Sequence, residues 1–78
     1  MNKTVIQKKI LELAKAEVDV YSLERDIEKD ILDNNLVELE GMLKIKIFRP
    51  VTLENGRRKG KWVITDSGRI FLDELKEY

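Results

Sequence analysis

Apolar residues recur at helical spacing over the first part of the chain. Ile6 and Ile10 lie on one stripe of a period of about 3.6 residues, and lysines occupy the opposite side. The pattern predicts an amphipathic helix over residues 4–15, with Asn2 or Thr4 as its N-cap.

Two further apolar stripes follow, and they are offset from each other. The first covers residues 23–31 and has Ser22 as its predicted N-cap, whereas the second covers residues 32–43. The offset, together with the polar cluster Asp33-Asn34-Asn35, predicts two helices joined by a tight turn near residues 29–34. The alternative is one longer, bent helix.

The hydrophobic period changes to two from Lys44 onward, which predicts a strand. Asn55-Gly56 is a strong hairpin signal, because a type I′ turn requires positive φ at both central positions. A turn centred on this pair places Arg49 opposite Trp62 in the second strand. We therefore expect the Arg49 guanidinium to stack on the indole ring. The alternative is an exposed Trp62 that stacks on a base or on a partner.

Two shorter patterns complete the predicted layout. The alternating, β-branched segment Val18–Val20 predicts a short extended piece or strand. Thr65 is the predicted N-cap of a last helix that runs through Leu75, and Tyr78 counts among the apolar residues of this helix. Gly68 would let the helix approach the sheet closely.

Composition narrows the classes of function. The chain has 78 residues, enough for one small core, and it contains no His and no Cys. Disulfides, thiolate zinc sites and the usual neutral-pH general base are thereby excluded. We expect no enzymatic activity, no cofactor, no metal site and no small-molecule substrate. No apolar run approaches the ~20 residues of a membrane span, so we expect a soluble, cytoplasmic protein with no membrane partner.

The net charge of zero hides a strong segregation of charge along the chain. Residues 1–43 carry 6 basic and 10 acidic side chains, whereas residues 44–61 carry 7 basic side chains against Glu54 alone. Residues 62–78 are again acidic. Such segregation indicates a directed interaction surface, and the alternative is a solvated hairpin whose charges prevent edge aggregation.

The order of the predicted elements, together with three stretches of the sequence, resembles the winged-helix DNA-binding domain of MarR-, PadR- and ArsR-like regulators. The stretches are VDVYSLERDI, LVELEGMLKIKIFRP and WVITDSGRIFLDEL. The last stretch carries Ile64, Thr65, Gly68 and Leu72 where such proteins have a hydrophobic residue followed by Leu-Thr-x-x-Gly-x-x-x-Leu. The resemblance implies an α+β winged helix-turn-helix fold in a single domain over residues 1–78. That fold has three helices, a two-stranded wing hairpin that a short third strand can extend, and a C-terminal helix.

The basic segment supplies the candidate DNA contacts. Strand alternation separates a core-facing set of side chains from a basic set, and cations along a β-ribbon can follow a phosphate backbone. Arginines at the tip of the hairpin can enter a minor groove. The candidates in the wing are Lys44, Lys46, Arg57, Arg58, Lys59 and Lys61.

The presumed recognition helix is less typical of a DNA-binding protein. Asn34 and Asn35 lie where base contacts would be made, and asparagine can bind adenine through two hydrogen bonds. Both residues are also good turn residues. Asp33, Glu38 and Glu40 carry negative charge on the same helix, with no neighbouring cation in the sequence to offset it.

These patterns together predict a small transcriptional regulator that binds double-stranded DNA mainly through its basic wing. The amphipathic first and last helices offer a surface for a homodimer. The alternative is a winged-helix protein–protein interaction module without DNA binding, in which acidic and basic surfaces meet.

Overall fold

The elements of the fold follow one another along the chain in the computed structural model, which describes residues 1–77. They are α1 (Lys3–Lys15), a 3-10 helix (Val20–Arg25), α2 (Lys29–Gly41), β1 (Ile45–Thr52), β2 (Arg58–Ile64) and α3 (Asp66–Leu75). β1 and β2 pair antiparallel. The chain is therefore a small α+β domain of helices and a two-stranded hairpin. Tyr78, assigned above to the last helix, lies outside the described residues.

The structure confirms the first predicted helix, which is α1. Asn2 caps α1, since its Oδ1 accepts a hydrogen bond of 2.9 Å from the backbone N–H of Val5. The helix ends in a Schellman motif, in which the backbone N–H groups of Glu17 and Val18 donate to carbonyl groups of the last turn. Glu17 has a φ of 59°, the left-handed conformation that this motif requires. Of the two alternatives for residues 18–20, the strand is wrong, because the chain leaves this motif and enters the 3-10 helix at Val20 without joining the two-stranded sheet.

The break between the next two helices lies earlier than the sequence predicts. The 3-10 helix is capped by the Asp19 side chain rather than by Ser22, and it ends at Arg25. α2 then begins at Lys29, so the Asp33-Asn34-Asn35 cluster lies inside a continuous helix. The predicted turn at 29–34 and the single bent helix are therefore both wrong. Burial of the leucine stripe on α2 overrides the turn preference of the polar cluster.

The hairpin loop has three residues rather than two. The Gly56 N–H donates to the Leu53 carbonyl, and the Leu53 N–H donates to the Arg57 carbonyl. Gly56 has a φ of 84°, and Asn55 is not among the residues with positive φ. These features describe a hairpin whose turn ends in one left-handed glycine, in place of the predicted type I′ turn.

A β-bulge changes the predicted register. Ile47, rather than Arg49, lies opposite Trp62. Pairing is interrupted between Phe48 and Val51, where Arg49 adopts a φ of 50° before Pro50. Gly60 lies opposite the bulge, and a Cβ atom there would lie 2.7 Å from the Phe48 carbonyl oxygen. The predicted stacking of Arg49 on Trp62 is consequently wrong.

The core lies between the three α-helices and one face of the hairpin. α3 can approach the hairpin closely because Gly68 lies directly against the Lys44 carbonyl. Thr65 caps this helix, as predicted, since its Oγ1 accepts a 2.9 Å hydrogen bond from the Gly68 N–H. The buried apolar side chains are Ile6, Ile10, Leu11, Ala14, Val20, Ile27, Leu32, Leu36, Leu39, Ile45, Trp62, Ile64, Leu72 and Leu75.

Substitution of Leu43 by glycine should stabilise the fold. Leu43 has a φ of 61° at the end of α2, and its side chain is 72% exposed, so glycine removes strain without opening the core. We expect the free energy of unfolding in urea to rise by about 0.5–1 kcal/mol. The matched control is Val37→Gly, at an exposed position inside α2, which should lower the free energy of unfolding by about 0.5 kcal/mol. A loss of stability in Leu43→Gly would contradict the strain argument.

Candidate nucleic-acid interface

The outward side of the hairpin brings three of the predicted lysines together. The register and the bulge place Lys46, Lys59 and Lys61 on the face that points away from Trp62. All three side chains belong to exposed residues. The full set on this side, hereafter the outer face, comprises Lys46, Phe48, Val51, Lys59, Lys61 and Val63.

The lysines of the outer face have few competing partners. Lys46 Nζ lies 5.0 Å from the ring centroid of Phe48, an exposed cation–π contact. Lys61 Nζ lies 3.3 Å from Glu17 Oε2, with both side chains more than half exposed. Such surface pairs contribute at most about 1 kcal/mol, so an incoming anion can displace them. Lys59 forms no ion pair within residues 1–77.

Lys44 lies apart from the other three lysines, at the base of the hairpin. Its Nζ lies 2.7 Å from Ser67 Oγ and 5.3 Å from the ring centroid of Phe71. Both contacts are with α3. The ammonium group is therefore held against the last helix, and Lys44 is only partly exposed.

Arg57 does not project from the hairpin tip. Its guanidinium forms ion pairs with Glu24 in the 3-10 helix and with Asp33 in α2, the latter at 3.1 Å. The same group lies over the Tyr21 ring, 4.5 Å from its centroid. Only 10% of the side chain is exposed. Arg57 thus joins the hairpin to both helical elements.

Arg58 is also turned towards the body of the domain. It donates two hydrogen bonds to the Glu40 carboxylate, of 2.8 and 2.6 Å, in a bidentate pair. Its guanidinium carbon lies 5.3 Å from the Trp62 ring centroid. The Trp62 ring, on which the sequence predicts that Arg49 stacks, is therefore covered by Arg58 instead. Sequence reasoning missed this contact because it depends on the bulge.

These ion pairs change the electrostatics of α2. The sequence suggests three unopposed carboxylates on this helix, but each of them has a cation partner from another element. Asp33 pairs with Arg57, Glu40 pairs with Arg58, and Glu38 Oε1 lies 2.5 Å from Lys3 Nζ. The expectation that these charges lack a nearby cation is wrong, because their partners are distant in sequence and adjacent in the fold.

Asn34 and Asn35 have different environments. Asn34 is exposed on α2. Asn35 is 8% exposed, accepts a 3.2 Å hydrogen bond from Gln7 Nε2, and donates one of 2.9 Å to the Ile31 carbonyl. Its amide therefore joins α1 to α2 inside the fold. Asn34 alone presents its side chain to a ligand.

Two carboxyl groups of α2 have pKa values that are shifted in opposite directions. Hydrogen bonds from Arg58 lower the pKa of Glu40, and the same contact raises the pKa of Arg58. Burial raises the pKa of Asp33, an effect that the positive charge of Lys29 partly offsets. The Arg58–Glu40 pair is thus stabilised in its charged form.

Residues 1–77 contain neither a metal site built from carboxylates nor a membrane-spanning helix. No group of three or more carboxylates there is arranged to hold a metal ion. Each helix in this part of the chain is too short or too polar to cross a bilayer.

The arrangement defines a small α+β domain with a cationic outer face on its hairpin. No protein-family model and no curated protein sequence matches the chain. Its fold is similar to the crystal structure of smu.1704 from Streptococcus mutans UA159, with a TM-score of 0.76 and 20% sequence identity. The match covers 97% of this chain and 76% of the other. At this identity the similarity concerns the fold alone.

Substitutions at the two asparagines should separate their roles. Asn35→Ala leaves the buried Gln7 amide without its partner, so we expect the free energy of unfolding to fall by about 1–3 kcal/mol. Asn34→Ala removes an exposed side chain and should change it by less than about 0.5 kcal/mol. Urea denaturation of the two variants tests the difference, and equal losses would contradict the assignment.

The Arg58–Glu40 pair should make stability depend on pH. The pKa of Glu40 in the folded protein is below its ordinary value of 4.5. The contribution of the Arg58–Glu40 pair to the free energy of unfolding is therefore fully present above pH 4.5 and is lost as the pH falls through the lower pKa of the folded state. The free energy of unfolding of Glu40→Gln should be lower than that of the wild type by about 1 kcal/mol at pH 7, and the two values should converge near pH 3.

Urea denaturation across this pH range measures the convergence. Glu12→Gln is the control, since Glu12 is exposed and forms no ion pair within residues 1–77. A constant difference between Glu40→Gln and the wild type from pH 7 to pH 3 would show that the charged pair contributes nothing.

Proposed function

We propose that the chain is a winged-helix DNA-binding protein that acts in the cytoplasm as a transcriptional regulator. In this interpretation the 3-10 helix and α2 form the helix-turn-helix, and the hairpin of β1 and β2 is the wing. The lysines of the outer face contact the phosphate backbone of double-stranded DNA. The similarity to smu.1704 supports the fold that this proposal needs and says nothing of the ligand.

The clustering of Lys46, Lys59 and Lys61 on the outer face is the observation that carries the proposal. Their ammonium groups are exposed and are bound weakly or not at all by the protein's own carboxylates. A row of such cations along a β-ribbon releases counterions when it meets a polyanion, which favours binding regardless of sequence. Lys44 extends this row at the base of the wing once its contact with Ser67 is broken.

The neutralised charges of α2 support the same proposal. With Asp33, Glu38 and Glu40 paired to cations, the repulsion of phosphate expected from the sequence is largely removed. Asn34 remains exposed on this helix and offers an amide that can recognise a base edge. Binding would therefore combine phosphate contacts from the wing with a small number of contacts from α2.

In the folded domain the two tip arginines position the wing. Arg57 and Arg58 are bound to carboxylates of the 3-10 helix and α2, so they hold the lysines at a set place relative to α2. Direct insertion of these arginines into a minor groove would require both sets of ion pairs to break. The lysines are thus the better candidates for direct contact.

Exposed apolar side chains favour a second candidate function, a protein-interaction module. Phe48 is 49% exposed and Val51 63% exposed on the outer face, between the lysines. Apolar and cationic residues together are typical of surfaces that bind acidic proteins, a second copy of the chain included. Salt-sensitive self-association without retention of duplex DNA would favour this alternative.

Binding to duplex DNA should weaken steeply with salt. If the outer-face lysines and Lys44 each neutralise one phosphate, the logarithm of the binding constant should fall against the logarithm of salt concentration with a slope of about −3.5. Fluorescence anisotropy with labelled random duplexes, at several salt concentrations, measures this slope. Absence of binding at low salt would refute the proposal.

Charge-matched variants locate the interface. Lys46→Ala with Lys59→Ala should reduce the magnitude of the slope by about 2 and weaken binding at least tenfold at low salt. The control is Lys9→Ala with Lys15→Ala, which removes the same charge from exposed positions on α1. Equal losses in the two double variants would indicate a non-specific effect of net charge.

A further inference from the structure

The tip of the hairpin carries the one Asn-Gly pair of the sequence, at Asn55 and Gly56. Both residues are exposed, and they lie in the three-residue loop between Leu53 and Arg57. A Cβ atom added to Gly56 would meet no part of the protein within 4 Å apart from its own chain neighbours. Water and dissolved bases therefore have free access to this pair.

The Asn55 side chain is held beside the peptide nitrogen with which it can react. Its Oδ1 accepts a 3.0 Å hydrogen bond from the backbone N–H of Arg57, two residues further along the chain. This bond closes a ring that contains both the side-chain carbonyl carbon, Cγ, and the backbone nitrogen of Gly56. Glycine has no Cβ atom to hinder an approach of that nitrogen to Cγ.

One hydrogen bond restrains the Gly56 nitrogen. Its N–H donates to the Leu53 carbonyl at 2.9 Å. Because the loop is exposed, water can replace this bond, and local opening at a loop tip costs little free energy. Gly56 has a φ of 84°, and glycine can leave this conformation without a steric penalty. The turn therefore slows a reaction at this nitrogen but does not prevent it.

The asparagines of α2 lie in a backbone that does not allow the same reaction. Asn34 and Asn35 are inside the helix, and each is followed by a residue with a side chain. In a helix the backbone dihedrals are fixed and the N–H groups are hydrogen-bonded, so the next nitrogen cannot rotate towards the preceding side chain. Asn55 combines an exposed loop with a following glycine, and these two asparagines have neither.

We propose that Asn55 is a site of spontaneous modification in the folded protein, where deamidation gives the hairpin tip a negative charge. The Gly56 nitrogen loses its proton to a dissolved base and attacks Cγ of Asn55. The side-chain nitrogen leaves as ammonia, and a five-membered succinimide ring remains. Water then opens the ring at one of its two carbonyl groups. The product is aspartate, or isoaspartate in which the main chain runs through the side-chain carbon.

Both products change the charge of the hairpin. Residues 44–61 carry 7 basic side chains against Glu54 alone, and the reaction adds a second carboxylate. The Arg57 guanidinium is already paired with Glu24 and Asp33, so it is not free to neutralise the new charge. Isoaspartate also adds one methylene group to the backbone of a three-residue loop. The proposal does not rest on DNA binding and is tested without DNA.

Peptide mapping by mass spectrometry measures the reaction in the complete, folded chain. Incubation in H₂¹⁸O near pH 8 labels every residue that deamidates, because the incoming oxygen atom comes from water. Digestion with trypsin in ordinary water then releases Asn55 within residues 47–57, since the Arg49–Pro50 bond resists cleavage. We expect this peptide to gain the label in two forms, one with aspartate and one with isoaspartate. Absence of the label would refute the proposal.

The asparagines of α2 give an internal comparison. Asn34 and Asn35 are released together within residues 30–44. We expect this peptide to gain the label at least tenfold more slowly than the peptide that contains Asn55. Similar rates in the two peptides would contradict the role assigned to the hairpin loop.

Ser67→Asn supplies a matched control in the same chain. It creates a second Asn-Gly pair at an exposed position in the first turn of α3, where the Gly68 N–H donates to Thr65 Oγ1. The two residue types are the same as at the hairpin tip, but the backbone is helical. We expect residues 62–69 of this variant to gain the label at least tenfold more slowly than residues 47–57. Equal rates would show that the local structure has no influence.

A free peptide and one further variant complete the test. A synthetic peptide of residues 47–57, acetylated and amidated, reacts at the rate of an unfolded Asn-Gly pair. We expect the folded protein to react at no less than one tenth of that rate, and stronger protection would overturn the proposal. Asn55→Gln should abolish the label in this peptide, because glutamine would have to form a six-membered ring. Label that persists in this variant would show that another residue reacts.

Discussion

The hairpin is held on the helical body by two arginines that each contact one aromatic ring and at least one carboxylate. Arg57 joins the Tyr21 ring to acidic groups of the 3-10 helix and α2, and Arg58 joins the Trp62 ring to Glu40. A planar guanidinium can stack and form bidentate hydrogen bonds at the same time, which lysine cannot do. Together with burial of Ile45, Trp62 and Ile64 in the core, these contacts fix the place of the hairpin and of the charges on it.

The same contacts divide the basic segment into two groups with different roles. Arginines point inward and neutralise α2, whereas Lys46, Lys59 and Lys61 point outward into solvent. The proposed DNA surface uses the second group. One short segment thus supplies a structural tether on one face and the proposed contact surface on the other.

Local patterns predict the elements of this fold better than its pairings. The α1 and α3 helices and the Thr65 cap follow from residues within one or two turns of each other. The hairpin register does not, because the bulge at Arg49 and the three-residue loop each displace it. Asn35 shows the same limit, since its partner Gln7 is 28 residues away.

The amino-acid sequence by itself determined the first and last helices, the presence of the hairpin and where cations are concentrated, because short-range periodicity and capping decide these features. Only the tertiary structure decided which cations remain exposed. Arg57 and Arg58 lie 18 or more residues from the carboxylates that bind them. Such pairs exist only after the hairpin packs on the helices, so charge read along the chain cannot distinguish a tether from a contact surface.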